Sequence, residues 1–268
     1  QQQLMILNWI AYQYRPHDGY GRYSSYMIQA LERAGVKVNI LLHEHVTMPG
    51  WMQNRLGLDW SHLSISCLPV YYLNKTIGPG GHWLLTMTEG SEMPDGWANM
   101  INESNVERVI VPCQANADAF YRGGVQAPIH VLAGGTDPQE FPVITQRSER
   151  QYTFLALADR GGRKGWPEVW QAFYKAFGTP ADTPDVRLVI KARPDGNELL
   201  ALIAKADKPD PRITIRMEDA HMPDVYAAAD CFVIPSRFEG WGMPHREAAM
   251  MGLPVITQQY SGMDDGHT

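Results

Sequence analysis

With 268 residues, 44% of them hydrophobic, the chain can bury one large core or two modest ones, and ordinary domain size favours two. A formal net charge of -6 and a pI near 5.8 exclude a globally basic surface, so nucleic acid or anionic membrane is a partner only where a local groove supplies the charge. Cys67, Cys113 and Cys231 lack zinc-type spacing and read as buried free thiols of a cytoplasmic protein; no apolar run approaches the roughly 20 residues of a membrane span, and the start of the chain lacks the basic flank and apolar core of a signal peptide.

The apolar run 4–10 (LMILNWI) has strand length and is followed by a loop containing Pro16, Gly19 and Gly21. Tyr23, Tyr26, Met27, Ala30, Leu31 and Ala34 then recur at helical spacing, and Gly35 stops that helix. Residues 36–42 (VKVNILL) complete a strand-helix-strand unit of the length a parallel crossover needs. The middle is irregular: 76–82 (TIGPGGH) is rich in turn residues, and Pro94 is expected to open a helix through Ile101. Alternation resumes with strands at 108–112 and 128–132 around a helix at 114–121.

The polar stretch 145–150 marks an expected boundary, dividing the chain into domains 1–145 and 146–268. The second series has strands at 152–157, 186–190, 212–215, 231–234 and 254–256, with helices at 166–177, 198–206, 222–229 and 244–251. Short apolar strands alternating with helices predict an α/β chain of two Rossmann-like domains, each with a parallel sheet covered on both faces. Ligands in such sheets bind beyond the carboxyl ends of the strands, so two facing sheets would form a cleft.

The clearest candidate site follows the strand 231–234. Gly240 and Gly242 let backbone come close to a ligand, and Met243 and Pro244 lead into a helix whose positive end favours phosphate. Glu239 suits sugar hydroxyls, and Glu247, read as lying in the first helical turn, suits a ribose diol. Taken alone, two such glutamates are better explained as a solvated loop residue and a helix-dipole partner.

The run 235–255 (PSRFEGWGMPHREAAMMGLPV) resembles the signature of glycosyltransferase family four: two glutamates separated by seven residues, Gly-Met-Pro between them and a small-residue helix ending in Gly-x-Pro-Val. Residues 160–173 (RGGRKGWPEVWQAF) resemble the family's Arg-Lys-Gly segment, in which a lysine and a preceding arginine bind the donor diphosphate. Lys164 matches the lysine. The usual arginine position holds Asp159, so Arg160 or Arg163 stands in for it. Residues 86–97, 109–120 and 130–141 resemble further family segments, the first placing the carboxylate of Glu89 beside the acceptor.

The resemblance implies the GT-B fold and a retaining, metal-independent transferase without a resident cofactor, whose donor is a UDP-, GDP- or ADP-sugar. It implies catalytic roles for Glu239, Lys164 and Arg160, donor contacts from Glu247, Gly240, Gly242, Met243, Pro244 and Arg163, and an acceptor side including Glu89. The family also has a glycine-rich first loop, here 17–22 (HDGYGR). Gly19 and Gly21 there could meet the donor phosphates or form a plain tight turn, and Arg22 could pair with an anion or cover the helix surface.

A nucleotide-sugar-binding module without transfer activity, a nucleotide-sugar epimerase and an enzyme that glycosylates a nucleic-acid base are the alternatives. His43, Glu44 and His45 lack a third metal ligand and read as a strand end, and Asp264-Asp265 reads as a solvated turn. Tyr12, Tyr14, Tyr20 and Tyr23 could stack on a ligand or serve as packing.

Overall fold

A computed structural model describes residues 5–12, 14, 18–42, 50–57, 59–74, 77–145, 151–159, 162–193 and 210–263. The expected helix 198–206, the His43-Glu44-His45 group, Asp264-Asp265 and Arg160 lie outside the described residues. The chain divides into two compact units, 1–135 and 136–268.

In the first unit β1 (Ile6–Ala11), β2 (Lys37–Leu42), β3 (Leu63–Cys67), β4 (His82–Leu85), β5 (Arg108–Val111) and β6 (Ile129–Val131) form one sheet in the order β2-β1-β3-β4-β5-β6. Every pairing in it is parallel, starting with Ile6 opposite Lys37 and Leu7 opposite Leu63. Helices α1 (Gly19–Arg33), α2 (Trp97–Asn102) and α3 (Gln114–Arg122) belong to this unit. Leu84, Val109, Val111, Ile101 and Phe120 pack in its core.

Strands β3 and β4 occupy the centre of that sheet, where the sequence pattern suggests only an irregular middle. Alternation of Leu63, Ser64, Ile65, Ser66 and Cys67 normally marks a strand with one wet face, but Ser64 and Ser66 are buried. Their hydroxyls are accommodated by hydrogen bonds: the Asn8 amide reaches Ser64 Oγ at 3.2 Å, and Ser66 lies 2.9 Å from His82 Nε2.

Helix α1 also differs from expectation. Gly19 and Gly21 lie in its first turn rather than in a loop, because Asp18 caps the helix by accepting from the Gly21 N–H at 3.1 Å. Helix α2 begins at Trp97, after Gly96, and not at Pro94.

In the second unit β7 (Tyr152–Ala158), β8 (Val186–Ala192), β9 (Ile213–Arg216), β10 (Cys231–Ile234) and β11 (Val255–Thr257) pair in parallel in the order β11-β10-β7-β8-β9. Its helices are α4 (Trp166–Phe177), α5 (Met222–Ala227) and α6 (Met243–Met250). Trp166, Val169 and Phe173 recur at i, i+3 and i+7 on α4 and pack on Ala156, Leu188 and Ile190 of the sheet. Burial of a ring such as Phe173 contributes about 1.5–3 kcal/mol.

The boundary falls after Gly135 rather than after residue 145. Residues beyond it pack on the second unit: the Phe141 ring lies 6.2 Å from that of Tyr226, and the Ile144 N–H donates to Met251 O at 2.9 Å. Polarity marks where the chain is exposed, whereas these two contacts decide which core the connector joins. Among the described residues, no helix is long and apolar enough to cross a membrane.

Candidate active site

The carboxyl ends of β7 and β10 place two loops side by side. The first, after β7, carries Arg163, Lys164 and Gly165; the second, after β10, carries Ser236 to Gly242. They are joined through backbone: the Arg237 N–H donates to Arg163 O at 2.9 Å, and Ser236 Oγ donates to the same carbonyl at 3.3 Å. Gly165 makes the approach possible, since it has a φ of 72° and a Cβ there would overlap the Pro235 carbonyl. It also caps the N-terminus of α4.

Glu239, 4% exposed, is the centre of this junction. The Lys164 ammonium bonds its Oε1; Ser236 Oγ donates to the same oxygen at 2.7 Å, and Arg163 Nη1 lies 3.4 Å away. Burial alone would raise the Glu239 carboxyl pKa, but the charges of Lys164 and Arg163 and the bonds from Lys164 and Ser236 bring it below the ordinary glutamate value. Glu239 is therefore an anion at neutral pH. Its partners include Lys164, the lysine expected at the donor diphosphate.

Arg163 forms a clasp. Its Nη1 donates to Phe238 O at 2.6 Å and its Nε lies 3.4 Å from Asp159 Oδ2, tying the end of β7 to the loop that carries Glu239. The planar guanidinium suits this task because its donors diverge in fixed directions. Asp159 thus has a role where the family signature has an arginine. Arg160 lies outside the described residues.

The glycine-rich loop leads directly into α6. Gly242 caps that helix with a φ of 72°, and Met243 and Pro244 form its first two residues. The loop is held by its own tryptophan: Trp241 is buried, and the Arg246 guanidinium covers its ring at 3.5 Å. Arg246 also donates to Gly262 O at 3.0 Å, while the Gly262 N–H donates to Glu239 O at 3.0 Å. The 3-10 turn Ser261–Met263 therefore backs the loop.

Glu247 lies beyond the first turn of α6, which contains no acidic residue, and this corrects the sequence reading. It is 1% exposed, and the buried Tyr226 of α5 donates its hydroxyl to Oε2 at 3.0 Å. The dipole-partner explanation therefore loses its positional basis, since that effect falls off within the first turn.

Among the site residues described, Glu239, Lys164, Arg163, Gly240, Gly242, Met243, Pro244 and Glu247 all belong to the second unit. Those expected in the first unit are Gly19, Gly21, Arg22 and Glu89. Arg22 donates to the Tyr26 hydroxyl at 2.9 Å and lies over that ring, so its stem and head cover the helix surface. Glu89 is exposed in the bend after β4. Tyr20 packs below this bend, bonded to Met87 at 3.3 Å. Tyr14 and Tyr23 are buried, with hydroxyls on Leu41 O at 3.0 Å and Leu132 O at 3.2 Å, and so serve as packing.

Sequence reasoning does not find Ser236, Tyr226, Asp159 or Arg246 as site residues. Ser236, three residues before Glu239, carries a local signal, because a hydroxyl there can turn back on the same loop. Tyr226 carries none, as it lies in a separate helix. Among the described residues, no group of three or more His, Cys, Asp or Glu side chains could hold a metal ion.

Residues 138–265 match the family described as glycosyl transferases group 1. A lipopolysaccharide core biosynthesis mannosyltransferase, LpsB of Rhizobium meliloti strain 1021, is 38% identical over 27% of this chain and 22% of its own length. A D-inositol 3-phosphate glycosyltransferase of Corynebacterium kroppenstedtii is 24% identical over 84% of this chain and 54% of its own. The chain thus spans about half or less of the curated relatives it matches. Anabaena HepE, solved in complex with UDP and glucose, superposes with a TM-score of 0.67 over 97% of this chain and 82% of its own, at 14% identity. Sucrose-phosphate synthase from Thermosynechococcus elongatus gives 0.69 over the same shares at 15% identity. The two parallel-sheet α/β domains are those of the GT-B glycosyltransferases.

Proposed function

We propose that this protein, whose residues 138–265 match the group 1 glycosyltransferase family, moves a sugar from a nucleotide-diphosphate sugar to an acceptor hydroxyl. The observation that carries this reading is the Lys164–Glu239 pair, a buried cation and anion at the ends of β7 and β10, beside the positive end of α6. A cation and a helix N-terminus suit a diphosphate, and a carboxylate suits sugar hydroxyls.

In this reading the bond between the anomeric carbon and the diphosphate oxygen breaks while a bond to the acceptor oxygen forms on the same face, so configuration is retained. The departing phosphate oxygen takes the acceptor proton, and neither a side-chain nucleophile nor a metal is required. Lys164, an arginine and the α6 terminus stabilise charge that grows on the leaving group. Glu239 holds the donor sugar, and Glu247 acts in ribose binding. Glu89 serves the acceptor side, and Gly19, in the first turn of α1, presents its backbone N–H to an anion; the Gly21 N–H is taken up by Asp18 and Arg22 by Tyr26, so neither is assigned to a ligand. The three buried free thiols suit a reducing cytoplasm.

The test is a screen of UDP-, GDP- and ADP-sugars for binding and slow hydrolysis, beginning with UDP-glucose because HepE was solved with UDP and glucose. One donor is expected to bind and turn over slowly without acceptor. Binding without any transfer to a panel of acceptors would favour a binding module, and a rearranged nucleotide sugar would favour an epimerase. Acceptor binding to oligonucleotides that weakens steeply with salt would favour base glycosylation.

A further inference from the structure

A stack of aromatic rings in the first unit takes no part in the donor chemistry. Tyr12 directly follows β1, and Tyr71 and Tyr72 lie in the 3-10 turn Val70–Tyr72 after β3. The Tyr12 and Tyr72 rings are stacked with centroids 4.1 Å apart and planes 19° apart, and the Tyr72 hydroxyl donates to Tyr12 Oη at 3.0 Å. Tyr71 packs against Tyr72 at 4.3 Å and against Trp97 at 6.3 Å. Trp97 in turn meets Phe120 edge-on at 6.3 Å, in the hydrophobic core.

Tyr71 is nevertheless 57% exposed. An exposed tyrosine normally loses rotamer freedom when a ligand stacks on it. Here rings on two sides already hold it, so that cost is largely met within the fold. Partial burial, more than anything else, raises the Tyr71 phenol pKa, followed by Tyr12, with smaller contributions from the charges of Asp18, which caps α1, and Glu89. The neighbourhood is thus an immobilised aromatic face with carboxylates nearby, at the strand ends where doubly wound sheets bind ligands. An aromatic face attracts the weakly positive C–H face of a sugar ring, carboxylates accept from hydroxyls, and both disfavour phosphate.

We propose that Tyr71, backed by Tyr72, Tyr12 and Trp97, is the stacking platform of the acceptor subsite, and that the acceptor it receives is an uncharged pyranoside rather than a phosphorylated polyol. This rests on the transfer reading above for the word acceptor, but not for the binding itself.

The test measures binding of methyl α-D-glucopyranoside, methyl α-D-mannopyranoside and glucose 6-phosphate to the full chain by saturation-transfer NMR and titration. UDP, GDP and ADP binding is followed in parallel. At least one neutral pyranoside is expected to bind, with Tyr71→Ala weakening it about tenfold and Tyr71→Phe staying within about twofold, since the ring and not the hydroxyl stacks. Nucleotide affinity should be unchanged in both variants. Absence of pyranoside binding, insensitivity to Tyr71→Ala, or tighter binding of glucose 6-phosphate would overturn the proposal. If no nucleotide binds but Tyr71-dependent pyranoside binding is found, the transfer reading fails and the saccharide platform stands.

Discussion

The Lys164 ammonium is bonded to a carboxylate oxygen of Glu239, although the two residues lie on loops from different strands of the second sheet. Each side chain is mostly buried, so removal of one partner takes away part of what compensates the other's charge. A ligand diphosphate would compete for Lys164, and sugar hydroxyls would compete for Glu239. The pair therefore holds both groups in place for a donor while each compensates the other.

Glu239→Gln and Lys164→Ala are each expected to reduce sugar transfer by at least about a hundredfold, the effect of losing a transition-state electrostatic contact. Lys164→Ala should also destabilise the fold by about 1–3 kcal/mol, because Arg163 and Ser236 remain on the carboxylate. Initial rates and urea unfolding read the two effects separately. Near-normal turnover in both variants would remove the mechanism.

Arg163→Lys should behave like Arg163→Ala, with transfer reduced more than about tenfold, because a point charge cannot span Phe238 O, Asp159 and Glu239 as the planar fork does. Comparison of kcat/KM for the two variants decides it. Full activity with lysine would mean that only charge matters at this position.

Tyr226→Phe removes the hydroxyl that donates to Glu247 Oε2. Loss of a hydrogen bond to a buried carboxylate costs about 1–3 kcal/mol. Nucleotide affinity is expected to fall several-fold while kcat changes little, measured by titration beside steady-state rates. A kcat loss at unchanged affinity would contradict a binding role for Glu247.

Gly165→Ala meets two obstacles. The left-handed φ disfavours any side chain, and the nearest overlapping atom is the Pro235 carbonyl oxygen, which cannot rotate away as a flexible side chain can. Destabilisation above about 2 kcal/mol is expected, with a loss of transfer because Lys164 and the Glu239 loop move apart. Thermal and urea midpoints check the first, and rates of the folded fraction check the second.

Stability should fall in mildly acidic solution through His82. Burial keeps its imidazole pKa below the ordinary value, with the Asn105 bond and the Glu107 charge offsetting part of that effect. Asn105 Oδ1 accepts from the Ile77 N–H and faces His82 Nδ1 at 3.1 Å, so Nδ1 carries the proton and Nε2 accepts from Ser66. The unfolded chain binds protons more readily, so stability present above about pH 6.5 is lost progressively as pH falls toward the folded-state pKa. Urea midpoints at pH 7.5 and 5.5 should show a larger drop for the wild type than for His82→Gln; equal slopes would exclude His82 as the cause.

The sequence by itself determines the two α/β series and the segment 239–247, because strand length, helical period, glycine placement and a helix-opening proline are local properties of the chain. It also brings Lys164 forward, through a motif beside a strand end. It does not reveal β3 and β4 as central strands, since Ser64 and Ser66 look solvent-facing until the hydroxyl partners supplied by Asn8 and His82 are known. Nor does it show that Gly19 and Gly21 enter α1, that Glu247 bonds Tyr226, or that Asp159 and Arg163 form a clasp. Each of these depends on groups brought together by sheet order, and a hydrogen-bond or ion-pair partner distant in sequence leaves no periodic trace in either segment. Only the tertiary structure decides that Lys164 and Glu239, separated along the chain by three of the described strands, share one buried charge pair.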